Sequence, residues 1–148
     1  MVIYTAGYLA GWKPEALVAK AKRLKALVVD VRLVPLSRVA GFSEVDLKHA
    51  MGDSYIWLRE WGNLNYRSGG PVQLGDFEGG LAKLGGRAEN VILLCACRDV
   101  NVCHRKVVAE KLAAEWGCEI VHLGRPGGAK KISDCSDFGV DMMATAPL

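Results

Sequence analysis

The densest run of chemically capable side chains is Cys95-Ala96-Cys97-Arg98-Asp99-Val100-Asn101-Val102-Cys103-His104-Arg105. It reads as a strand end, a loop and a helix start. The free N–H groups at a helix N-terminus, with the dipole behind them, favour an anion. The same field favours thiolate over thiol. Arg105 is able to hold a carboxylate or phosphate through two parallel hydrogen bonds. His104 is able to give or take a proton near neutral pH. Three readings compete here. In one, Cys103 or Cys97 is a nucleophile in an anion cradle. In another, Cys95, Cys97, Cys103 and His104 bind zinc, although C-x-C-x5-C-H lacks the usual C-x2-C knuckle. In the third, the thiols are small core side chains and Arg105 pairs with an acid.

A second constellation is Asp30-Val31-Arg32, followed by Pro35, Ser37, Arg38 and Gly41-Phe42. Asp30 beside Arg32 is expected to be an orienting pair. Arg32, Arg38 and Arg105 together would make a positive pocket. Phe42 is expected to anchor the next helix rather than to act as a lid. Tyr4 and Tyr8 flank Gly7, which suits a close approach by a ligand or another backbone. Trp57, Trp61 and Tyr66 could stack on a base, but core packing is the expected use at this spacing. His122 is expected to be a satisfied core histidine.

The elements that must position these groups alternate strand and helix. Val2–Tyr8, Ala26–Leu33, Asn90–Cys97 and Glu119–Leu123 read as strands, and 54–58 as a short one. Pro14 opens a helix carrying Leu17, Val18, Ala21 and Leu24. Ser43 caps a second, which stops at Gly52. Asp76, Phe77, Leu81 and Leu84 mark a third, weakened by Gly79-Gly80. Val108, Leu112 and Trp116 form the stripe of a fourth, ending near Gly117. This order predicts a single α/β domain: a mostly parallel sheet with helices on both faces. Such sheets bind ligands beyond the carboxyl ends of their strands. Tyr8, Asp30, Arg32, Cys95 and Cys97 fall there, so the site is expected on that rim.

The 148 residues suit one domain, taken as 1–123, with a Gly- and Lys-containing tail at 124–148 that includes Lys130-Lys131. A 51% hydrophobic and 24% charged composition excludes a disordered or collagen-like chain. A balance of 19 Lys+Arg against 16 Asp+Glu, +3 net, is compatible with a phosphate-bearing partner. No apolar run reaches membrane-span length, and the start lacks a signal-peptide layout. With five Cys, this predicts a reducing, cytoplasmic setting.

Taken together, these residues resemble the domain of unknown function 488 (DUF488) family. Its pattern opens Tyr-Thr-x-Gly-Tyr, here Tyr4 to Tyr8. Asp-Val-Arg-x-x-Pro-x-Ser-Arg follows, here Asp30 to Arg38. Then come Gly41-Phe42-Ser43, Trp61-Gly62-Asn63, Cys95-Ala96-Cys97, Cys103-His104-Arg105 and His122. Many members carry Glu at the position of Cys97, so the carry-over rests on Cys95, Cys103, His104 and Arg105. The resemblance implies an α/β fold and a functional pocket, without a settled activity. The layout is also similar to the rhodanese-type fold in its Asp-Val-Arg and its Cys-bearing strand. The Cys-x5-Arg cradle of that fold is not met, since Cys103 stands six residues after Cys97.

The resulting expectation is a pocket for a small anion or phosphate-bearing ligand, such as a nucleotide or nucleic-acid fragment. Arg32, Arg38 and Arg105 would bind it, with Tyr8, Ser37 and Asp30 arranged around them. Cys103 or Cys95 would be the nucleophile and His104 the proton carrier. No cofactor is predicted, zinc being the alternative above. Two other functions remain open: a non-catalytic nucleic-acid-binding module, and rhodanese-like sulfur or phosphoryl transfer.

Overall fold

The three central strands are largely apolar on both sides because helices cover both faces of the sheet. In a computed structural model, which describes residues 1–85 and 89–126, the sheet contains β1 (Val2–Gly7), β2 (Ala26–Asp30), β3 (Tyr55–Trp57), β4 (Asn90–Cys95) and β5 (Glu119–His122). The order is β3-β2-β4-β1-β5, and every pairing is parallel. Four α-helices accompany it among the described residues: α1 (Pro14–Leu24), α2 (Glu44–Met51), α3 (Phe77–Leu84) and α4 (His104–Trp116). The chain is an α/β fold.

Side-chain alternation along the strands builds two cores. Ile3, Leu27, Val29, Val91, Leu93 and Cys95 face Leu84 of α3 and Val108 and Leu112 of α4. Tyr4, Ala6, Val28, Ile92 and Leu94 face Leu17 and Ala21 of α1 and Leu47 of α2. Local signals hold the helix ends. Ser43 Oγ accepts from Asp46 N (3.3 Å), and Asp76 Oδ1 accepts from Gly79 N (3.0 Å). Gly117 closes α4 in the left-handed conformation. The glycine pair inside α3 has a packing reason: a methyl on Gly80 would overlap the Trp61 indole. That indole is fully buried and donates from Nε1 to Phe77 O (3.0 Å).

Two strands end earlier than their apolar runs. β2 stops at Asp30 because the chain turns back there, with Arg32 N and Nε both bonded to Asp30 Oδ1. β4 stops at Cys95, after which Ala96 O accepts from Leu9 N outside the ladder (3.0 Å). The 124–148 tail lies outside the described residues beyond Pro126, and Lys130-Lys131 with it.

The topology selects one place on the sheet. β1 and β4 are neighbours, yet the helix after β1 packs on one face and the helix after β4 on the other. The loops leaving these strands touch first, Leu9 N donating to Ala96 O, and then lead to helices on opposite faces. They open a crevice at the carboxyl ends, beside Gly7 and Cys95, which are partners in the ladder.

Candidate functional site at the carboxyl ends of β1 and β4

A cleft of about 740 Å³ opens at this crevice. Tyr8 from the end of β1, Arg32, Ser37 and Arg38 from the loop after β2, and Tyr66 and Arg67 from the excursion before α3 line it. Cys95, Ala96, Cys97 and His104 complete the wall. No carboxylate is among the described lining residues.

Asp30 is fully buried and organises the arginine side. Arg32 grips it with two side-chain bonds, Nε to Oδ1 (2.8 Å) and Nη2 to Oδ2 (2.6 Å). Tyr55 on β3 donates its hydroxyl to Oδ2 (2.5 Å). Burial works to lower the Arg32 pKa, but the bonds to Asp30 and its charge reverse the balance and raise it. Tyr55 is pushed well above the tyrosine range by burial, then by the Asp30 charge. Trp57 Nε1 holds the Arg32 carbonyl (2.8 Å), so the turn is fixed at both backbone and side chain. Nη1 of Arg32 reaches toward the Tyr8 hydroxyl (3.4 Å), and that hydroxyl donates to Ser37 Oγ (2.9 Å). Phe42 is buried and stacks on the Tyr8 ring, centroids 4.4 Å apart. It packs as an anchor. Arg38, Tyr66 and Arg67 stand exposed on the rim, with the Arg67 guanidinium 5.3 Å from the Tyr66 ring centroid.

The thiol side is built by β4 and the start of α4. Cys95, Cys103 and His104 are buried, and Cys97 is half-buried. One ligand-competent atom from each of Cys95, Cys103 and His104 lies within 4.8 Å of the others. His104 Nε2 sits 2.6 Å from the Val31 carbonyl. A carbonyl only accepts, so Nε2 carries the proton and Nδ1 is left unprotonated in the neutral ring. Nδ1 faces Cys95 Sγ at 3.8 Å. Hydrogen bonds with Cys95 and Cys97, and then with His104, draw the Cys103 pKa below the thiol range against the effect of burial. Its bond with Cys103 raises Cys97, and Cys95 is pushed up to about 12, first by Cys103 and then by burial. Burial lowers the His104 pKa, but the bonds to Cys103 and Val31 O outweigh it, and the net direction is up.

Arg105 turns away from the cleft. Its guanidinium is fully buried and donates from Nη1 to Cys97 O (2.7 Å), while Nε has no hydrogen-bond partner among the described residues. This arrangement needs Gly7: a methyl there would overlap the Cys97 oxygen and lie 2.8 Å from Arg105 Nη1. Trp61 is core, Trp57 braces Arg32, and His122 bonds Thr5 Oγ1 through Nδ1 (2.7 Å). Sequence reasoning missed Tyr55, whose strand carries no polar pattern, and Arg67, which stands outside every motif. Arg67 follows the exposed Tyr66 directly, and that pairing is the signal for it.

Residues 15–69 match the family described as Domain of unknown function DUF488. Over these residues the chain is similar to that family. No curated protein and no solved structure shows a significant match. The matched residues run from α1 into the segment before α3 and contain the whole Asp30–Arg38 turn together with Tyr66 and Arg67. The Cys95–Arg105 run lies beyond the matched residues.

Proposed function

We propose that the cleft binds a phosphate-bearing ligand, a nucleotide or nucleic-acid fragment, and acts on it through the cluster of Cys95, Cys103 and His104. The observation that carries this reading is the lining: three arginines and no carboxylate on one side, buried thiols and an imidazole on the other. Arg32 has five N–H donors and gives two side-chain bonds to Asp30 and one from Nη1 to the Tyr8 hydroxyl, which leaves two N–H groups for a ligand oxygen. Arg38 is exposed beside the cleft, and Arg67, whose Nε donates to the Tyr66 hydroxyl (2.7 Å), keeps its other N–H groups for an anion. The exposed Tyr66 face offers stacking to a base. Arg105 takes a supporting role, fixing the Cys97 carbonyl and placing a positive charge behind Cys103.

The test is a titration of inorganic phosphate, nucleoside monophosphates and short single-stranded oligonucleotides against the protein and its Arg38→Ala/Arg67→Ala variant. A charge-assisted hydrogen bond contributes about 1.5–3 kcal/mol, so losing both arginines should weaken binding at least about tenfold. Equal affinity of variant and parent, or no binding of any probe by the parent, contradicts the reading. Salt separates a one-phosphate pocket from a nucleic-acid module: affinity falls gently for the first and steeply for the second.

A further inference from the structure

We propose that Cys95, Cys103 and His104 hold a zinc ion, with the fourth coordination position open to the cleft. Tetrahedral zinc, with Zn–S near 2.3 Å and Zn–N near 2.0–2.1 Å, sets its ligand atoms roughly 3.5–3.8 Å apart. Cys95 Sγ and His104 Nδ1 are 3.8 Å apart, and the full trio lies within 4.8 Å. Closing around an ion therefore requires shifts of about 1 Å at most. The imidazole is already set for ligation. Its Nε2–H is tied to the Val31 carbonyl at 2.6 Å, and its unprotonated Nδ1 faces the sulfurs. A ligating histidine characteristically donates its other ring N–H to a carbonyl or carboxylate, which fixes the tautomer and the ring orientation. Two thiolates and an imidazole suit zinc better than magnesium or calcium.

The trio draws on β4 and on the junction of the loop with α4, and Val31, which holds the ring, follows β2. The fold thus brings Val31 to the Cys95 and Cys103-His104 segments, a juxtaposition with no short sequence signature. Three protein ligands are the number found where zinc keeps an exchangeable position. Cys95 and His104 line the cleft while Cys103 lies behind them, so the open position faces the cavity. A water, or an oxygen of the anion held by the arginines, would take it. That last statement rests on the proposed cleft ligand; metal binding itself does not.

The test uses the full chain, reduced and metal-free, and the metal alone. The expected result is one Zn²⁺ bound per chain by elemental analysis. With Co²⁺, thiolate-to-metal charge-transfer absorption and intense tetrahedral bands should appear. Cys103→Ser should weaken the metal at least a hundredfold and remove part of the charge-transfer intensity. Cys97→Ser should retain the metal. Adding phosphate to the cobalt form should shift the visible bands. A folded parent chain that takes up no stoichiometric metal, or a cobalt spectrum without sulfur bands, overturns the proposal. Loss of the metal in Cys97→Ser overturns the open position and makes Cys97 the fourth ligand. Arg38→Ala/Arg67→Ala should still bind the metal. A chain that binds zinc but no phosphate therefore refutes the cleft reading alone, and the converse refutes the zinc.

Discussion

Arg32 and Arg105 show how identical side chains take different work from their surroundings. Arg32 keeps part of its guanidinium for the cleft because Asp30 occupies only one edge of it. Arg105 is sealed against the Cys97 carbonyl. Its charge is still felt through the protein, at Cys103 and at His122. His122 is lowered to about 4 by burial first, then by the positive charges of Arg105 and Lys106. The folded chain therefore keeps this ring neutral at pH 5, whereas an unfolded chain protonates it below about 6.5. Its contribution to stability is complete above pH 6.5 and is lost as pH falls toward 4, up to about 2–3 kcal/mol. Urea unfolding at pH 7 and pH 5 should show this loss in the parent and a smaller one in His122→Gln. Equal losses in both would contradict it. The sequence marks Cys95, Cys103, His104 and Asp30 as candidate residues, because reactive types cluster at strand ends. It does not reveal that His104 bonds a carbonyl 73 residues away, nor that Arg105 points inward. Both depend on how two loops fold over each other.

Elements place these groups by their ends. The five strands and four helices are legible because apolar runs covered on both faces, N-caps and glycine stops all agree. The strand ends are not, since hydrophobicity continues past them: Val31 and Ala96 are apolar residues already in loops. The closest crossing of elements is at Gly7, where the end of β1 touches the loop leading to α4. Gly7→Ala should force the Cys97 carbonyl and Arg105 apart, at a cost of about 1–3 kcal/mol. It should also disturb the thiol cluster beyond them. Thermal unfolding combined with thiol alkylation rates checks this, with a lower midpoint and altered Cys97 reactivity expected. An unchanged midpoint would show that the loop yields freely.

On the scale of the whole molecule, the reversal between β1 and β4 puts a crevice at the carboxyl ends, the place where parallel sheets bind ligands. No described helix is long and apolar enough to cross a membrane. The net charge of +3 is modest, so the cleft's positive character comes from local placement rather than from the surface as a whole. A second cavity, between α1 and α2 and lined by Ala21, Ala26 and Met51, lies at the amino-terminal end of β2, away from the crevice. Recording backbone amide shifts during a titration with a nucleoside monophosphate tests the central claim most directly. The predicted result is a set of shifts confined to Tyr8, the Arg32–Arg38 turn, Tyr66, Arg67, Ala96, Cys97 and the start of α4. Shifts centred on the α1–α2 cavity, or none at saturating nucleotide, would contradict it.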